Sequence, residues 1–256
     1  MAATVLSGTS GALYYKPAGT LAQFAEADVD FATDTFTVPS YLNFKVGDPV
    51  VFSIVNTTTG GTGTGTLPTG ITGGTTYYVI AYTAATGALQ VSATEGGATV
   101  TLSDDGTATA PNKFQVEYEA FASVAQVREW SFEITRDEID VTTIGQTLGQ
   151  NAPFKTYING FADGEGSATI YTTDDDTTIA SRLVEDVIQR IQTGVQFKLY
   201  IDRVVSSGSV DETASRSITV EAVLTSASYS VNPDDAQQIE VTFRPSAVPT
   251  FDLAKT

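Results

Sequence analysis

Along much of this chain apolar and polar residues alternate with a period of two, as expected for strands with one buried face. The pattern is clearest at Trp130, Phe132 and Ile134, set against Ser131, Glu133 and Thr135. Arg136, Asp137 and Glu138 then read as a charged turn. Ile139, Val141 and Thr143, alternating with Asp140 and Thr142, read as a returning strand. Residues 145–153 (GQTLGQNAP) carry Gly and Pro but no repeating apolar position, which predicts a loop. Residues 154–161 and 166–172 read as a second strand pair, turned at Asp163, Gly164, Glu165 and Gly166.

The period then changes. Ile179, Leu183, Val184, Val187, Ile188 and Ile191 fall at helical spacing, with Arg182 and Arg190 on the polar side. Asp175, Asp176 or Thr177 can cap the start through a side-chain oxygen, and Gly194 stands where a helix-ending glycine belongs. Two-residue alternation returns at Val195, Phe197, Leu199 and Ile201, and again at Ile218, Val220, Ala222 and Leu224, running on toward Val231. Asn232, Pro233, Asp234 and Asp235 predict a hairpin turn into Ile239, Val241 and Phe243, which alternate with Glu240, Thr242 and Arg244. Residues 11–16 (GALYYK) form a short strand candidate stopped by Pro17. The expected fold class is all-β with one flanking α-helix, arranged as a two-sheet sandwich or partial barrel.

Residues 26–117 differ in texture. Strands are predicted at 46–55, 75–82, 88–92 and 99–103. Residues 57–74 (TTTGGTGTGTLPTGITGG) have few apolar side chains to bury and predict a long loop or low-complexity hairpin. This segment reads as an inserted small β module at 26–117, interrupting a discontinuous domain made of 1–25 and 118–256.

Composition narrows the chemistry. The 256 residues include no Cys and no His. Disulfides, thiol catalysis and Cys/His zinc sites are excluded, and the usual neutral-pH general base is missing. The formal charge is −17, with 2 basic against 9 acidic residues in 26–117 and 11 against 21 elsewhere. Direct nucleic-acid binding is disfavoured by that sign, while a surface past which DNA slides without sticking is compatible with it. Asp174, Asp175 and Asp176 lack the spaced ligands of a calcium loop and are better explained as helix capping. Asp104, Asp105, Asp234 and Asp235 read as turn residues. Asp137, Glu138 and Asp140 read as solvated turn charges rather than paired glycosidase carboxylates. The glycines of 60–65 and 70–74 lack the Lys and Ser/Thr of a phosphate loop. No cofactor, no metal and no enzymatic activity are expected. No apolar run is long enough to cross a membrane, and residues 1–19 lack the pattern of a signal peptide.

Trp130, the run Asp137, Glu138, Ile139, Asp140, Val141, Thr142, Thr143, Ile144, Gly145, and the later run Gly160, Phe161, Ala162, Asp163, Gly164, Glu165, Gly166, Ser167 stand in an order with a counterpart elsewhere. This block resembles the central region of tail tube (major tail) proteins of long-tailed bacteriophages, and the likeness extends in order of elements over residues 119–245. Gln146 departs from the pattern, where an acidic or small polar residue is expected. Within 26–117, the stretches 47–52, 68–71, 75–80 and 86–87 resemble a small β module that recurs in phage structural proteins.

The resemblance implies a structural virion protein. Its subunits would form a homo-oligomer of stacked rings, typically hexameric, whose strands line a channel for DNA. Gly145, Gln146, Thr147, Leu148, Gly149, Gln150, Asn151, Ala152 and Pro153 would be the loop that orders against the adjacent ring. Glu133, Asp140 and Glu240 are the candidate channel-facing acids. Partners would be other tail proteins at the tube ends, with a tape-measure protein and DNA inside the channel without specific binding. The location would be the virion tail, assembled in the host cytoplasm, with the inserted module on the outer surface. The alternative is a secreted or surface-displayed carbohydrate-binding or adhesin module, using aromatics such as Tyr77, Tyr78 and Tyr82.

Overall fold

The computed structural model describes residues 10–124, 127–142, 155–171, 179–192, 194–206, 208–230 and 236–254. The chain begins in a first sheet with β1 (Ala12–Lys16). It crosses to a second sheet for β2 (Leu21–Phe24), β3 (Val29–Asp30), β4 (Thr35–Thr37), β5 (Pro49–Asn56), β6 (Thr76–Thr83), β7 (Ala88–Ser92) and β8 (Asn112–Tyr118). It then returns to the first sheet with β9 (Ala122–Ser123), β10 (Val127–Asp140) and β11 (Tyr157–Tyr171), followed by helix α1 (Ile179–Ile188) and β12 (Gln196–Asp202). A separate two-stranded ribbon, β13 (Val205–Ser206) and β14 (Ser209–Val210), precedes β15 (Arg216–Ser230), β16 (Gln238–Pro245) and β17 (Thr250–Asp252). The architecture is all-β with one flanking helix, and its sheets are open.

The first sheet runs β10-β11-β16-β15-β12-β1-β9, with β17 also on β15. The 15-residue β15 serves two half-sheets. Its beginning pairs with β12 from Arg216 to Glu221, and its remainder pairs with β16 from Ala222 to Ser230. A strand that changes partners midway turns a corner and lets one half-sheet fold over the other. Between the halves lies one core, with Leu13, Tyr15, Phe197, Leu199 and Val220 from one side and Ala168, Ile170, Leu224, Val241 and Phe243 from the other. The rings of Phe197 and Phe243 stack across it at 4.2 Å. Leu183 of α1 closes this core, with Val184 and Val187 against it.

The second sheet runs β2-β8-β5-β6-β7-β4-β3 around a core of its own, including Phe24, Phe36, Phe52, Val79, Leu89, Phe114 and Val116. It begins before residue 26, since Leu21–Phe24 pairs with β8. The strand expected at 99–103 is absent; Thr99 makes only an isolated bridge to Ser92. Conversely, β8 forms where no strand is expected, Phe114, Val116 and Tyr118 alternating with Gln115 and Glu117 between β2 and β5. The Thr/Gly-rich stretch is a loop that crosses the edge of β5, with Gly63 N–H donating to Ile54 O at 2.8 Å.

Two expected turns do not exist. Arg136, Asp137 and Glu138 lie within the single strand β10, and Asp163, Gly164, Glu165 and Gly166 within the single strand β11. The two strands form one long hairpin whose register runs from Val127 opposite Ile170 to Asp140 opposite Tyr157. The glycines are there because neighbouring strands crowd them. A Cβ on Gly166 would stand 2.2 Å from the ring of Phe243, and one on Gly160 would stand 2.8 Å from Asp137 Cβ. Gly160 and Phe161 sit opposite Asp137 at a register shift, a bulge that absorbs the extra residue. The loop expected at 145–153 and the turn at 232–235 lie outside the described residues, as do Asp174, Asp175 and Asp176.

Candidate functional site

The half-sheet β10-β11-β16-β15 has one face on the core and one in solvent. Its outer rows follow from the register. Ser131, Ser167 and Thr242 stand side by side, with Thr225 and Ser226 opposite Thr242. Hydroxyl contacts of 2.9 Å between Ser131 and Ser167 and 2.8 Å between Thr225 and Thr242 join the strands across this row. Glu133 pairs with Glu165, with Arg244 alongside at 3.8 Å from Glu165 and 3.5 Å from Asp163. Glu240 stands between Thr169 and Ser228. This is a hydroxyl-rich surface carrying more carboxylates than cations. Its inner face is Phe132, Ala168, Ile170, Val241 and Phe243. Burying alternate residues leaves the hydroxyls and acids nowhere to go but outward.

Glu133 and Glu240 therefore share that polar surface. Asp140 does not. It has the opposite strand parity to Glu133 and sits toward the hairpin end, 3.1 Å from Lys155. The Thr142 hydroxyl and backbone N–H, with Lys155 behind them, hold its carboxyl down at about 2. All three acids are exposed. The nine residues from Gly145 to Pro153, between β10 and β11 in the chain, lie outside the described residues.

Two features of the half-sheet were not legible as a site. First, β10 pairs only with β11, and from Val223 onward β15 pairs only with β16 among the described residues, so each side of the half-sheet ends in an open edge. Second, β11 reaches β16 only from Gly166 on. Beyond that row, among the described residues, the hairpin continues as a two-stranded ribbon with no third strand, and its apolar side chains are uncovered. Phe161 is 89% exposed, Ile158 52%, Tyr157 50% and Ile139 49%. A two-stranded ribbon is marginal alone in water, and an exposed apolar set of this kind marks a contact surface. The signal in the sequence was the alternation at 139–143, which reads as a strand but cannot say that no sheet lies against it. Of the stripe expected to be core, Trp130 and Phe132 pack on the core while Ile134 is 47% exposed at the base of the ribbon.

Tyr77 and Tyr82, candidates for a glycan-binding surface, are turned inward. Tyr77 is 4% exposed against Phe52, and its hydroxyl accepts from Thr72 N–H at 2.9 Å. Tyr82 packs on Phe44, and its hydroxyl accepts from Leu42 N–H at 2.9 Å. Asp104 is a turn residue, accepting from the N–H groups of Thr69 and Gly106. Among the described residues there is no cluster of metal-ligating side chains.

No protein-family model matches this chain, and no curated protein does. Several solved structures are similar to it, among them the following. A chain from the virion of a native gene transfer agent particle is 14% identical, with 51% of this chain and 88% of that chain covered at a TM-score of 0.37. A chain from the tail of an empty gene transfer agent particle, refined with C6 symmetry, is 14% identical over 51% of this chain and 85% of that one, at a TM-score of 0.36. A chain of the SPP1 tail tube is 15% identical over 53% of this chain and 71% of that one, at a TM-score of 0.34. The chain is thus similar to proteins of tail and tail-tube assemblies.

Proposed function

We propose that this protein is a tail tube subunit whose work is assembly. The observation that carries the reading is the half-sheet β10-β11-β16-β15, polar on its outer face and open at both edges, with a bare apolar ribbon extending from it. In a ring, the free edge of β10 in one subunit would pair with the free edge of β15 in the next. The edges differ in character. β10 carries Arg128, Glu129, Glu133 and Arg136, whereas β15 ends in the uncharged run TSASYS. Unlike edges favour a heterologous, closing contact over self-pairing. The half-sheets would then join into one continuous wall with the polar rows facing the channel. Glu133 and Glu240, with Glu165 between them in the chain, would keep DNA from adhering as it passes. The ribbon and the loop from Gly145 to Pro153 would reach the neighbouring ring. The second sheet would be an insertion carried on the outside, because a module of that size inside would block the channel.

Negative-stain electron microscopy of concentrated protein tests the reading directly. Hollow tubes or stacked rings are expected. The double variant Ile158→Asp/Phe161→Asp should keep the parent melting temperature, since both side chains already face solvent, and should form no tubes. Tubes of normal length from that variant would remove the ribbon from the mechanism. Deletion of residues 146–152 is expected to leave the fold intact and stop ring stacking.

A further inference from the structure

The junction between the two sheets holds a set of buried charged groups that assembly does not use. Helix α1 packs one stripe on the first core and turns Arg182 and Asp186 toward the other sheet, as does Gln189 just past its end. Arg182 is 1% exposed, Asp186 0% and Asp48, before β5, 5%. The Arg182 guanidinium grips Asp48 with two nitrogens, Nη1 to Oδ1 and Nη2 to Oδ2 at 3.0 Å. It also donates to the carbonyl of Asn43 and lies 5.7 Å from the centre of the Tyr118 ring. The Asp186 carboxylate accepts from the Tyr15 hydroxyl on β1, from Ala18 N–H at 2.9 Å, and from the Asn43 side-chain amide. At the rim, Lys45 pairs with Glu185 and Lys16 with Glu117. Glu119, beside Tyr118, is the further charged group facing this cluster.

We propose that α1 is a fastener that fixes the second sheet in one orientation, with Arg182 and Asp186 as its positioning residues, and that this costs stability rather than supplying it. Apolar contact is non-directional and would tolerate rotation of one sheet on the other. A two-pronged guanidinium–carboxylate pair and a carboxylate ringed by three donors are directional, and any other orientation strands buried charges. Burial, the dominant influence on Asp186, lifts its carboxyl above the ordinary range despite its donors. A carboxyl raised in this way favours the folded state below its unfolded value and loses that contribution as pH rises through the folded one. In its ionised form Asp186 is a burden that the fold carries. The linkers agree with a fixed joint. Gly19, at φ +63, lies so close to Ile191 that a Cβ would stand 2.9 Å from its carbonyl oxygen, and Asn43 N–H donates to Gly19 O at 2.9 Å. Without such a device, relative motion of two separately cored parts is the default.

The chain has no cysteine, so spin labels at Glu95→Cys and Thr213→Cys, both exposed, report one distance between the sheets. In the full-length protein a single narrow distribution is expected. In Arg182→Met/Asp48→Leu it should broaden roughly twofold or more while the melting temperature holds or rises. A distribution of unchanged width would overturn the positioning role. A fall in melting temperature, or failure to fold, would overturn the claim that the network is a cost. In either of those cases Arg182→Lys, which keeps the charge and loses the two-pronged grip, decides the positioning role: broadening supports it and unchanged width ends it.

Discussion

The second sheet and the β10–β11 ribbon are both antiparallel, and they treat their apolar residues in opposite ways. The second sheet buries Phe24, Phe36, Phe52, Phe114 and Val116 within itself, and its rings pack at 5.0 to 5.9 Å. The ribbon leaves Phe161, Ile158, Tyr157 and Ile139 in water. Both segments alternate apolar and polar residues. The difference is that seven strands close over the first set and only two strands carry the second. The ribbon's pattern calls for a covered face that the described residues do not supply, and in the proposed assembly a neighbouring subunit would supply it.

That contrast can be broken or sharpened in several ways. The largest effect is expected from separating the parts. Residues 19–119 expressed alone should melt cooperatively, because their core is their own; a chain without a thermal transition would show that the two parts depend on each other. Phe243→Ala should cost the first core about 3–5 kcal/mol in chemical denaturation, since it removes a ring stacked on Phe197 and covering Gly166. The same substitution at Phe161 should change stability by no more than about 0.5 kcal/mol. Near-equal costs would mean that the ribbon is buried after all. Gly166→Ala should cost about 1–3 kcal/mol, because the new methyl meets the Phe243 ring. A neutral result would show that the ring moves aside freely.

The smallest effect concerns Asp140. Its carboxyl, held at about 2, favours the folded ribbon above the ordinary value of 3.8, and that contribution fades as pH falls toward the lowered value. Thr142→Ala should raise the midpoint of its carboxyl signal in an NMR titration. An unchanged midpoint would discount the Thr142 contacts.

The sequence alone determined the class of most elements of the first sheet that face its core, while in the second sheet β8 and residues 99–103 escaped it. Strands at 195–201, 218–224 and 239–243 follow from which residues must leave water, as does the helix expected from Ile179 to Ile191, which the structure ends at Ile188. The alternation that made Glu133 and Glu240 polar-face residues was legible for the same reason. Pairing was not. Asp163, Gly164, Glu165 and Gly166 have the composition of a turn, and the tertiary structure holds them in mid-strand because Phe243 and Pro245 cover the glycines. Local propensity cannot see a ring arriving from a strand some eighty residues later. Arg182 shows the same limit from the other side. Its place on the polar stripe of α1 was right, and its burial was decided by Asp48 and Asn43, more than a hundred residues earlier in the chain. Ile188 sits at apolar helical spacing and is 86% exposed, while Ile191, just past α1, packs against the second core. Periodicity fixes which stripe a residue occupies. What lies against that stripe is settled only when distant segments meet, since burial is a property of the packed molecule and not of the local chain.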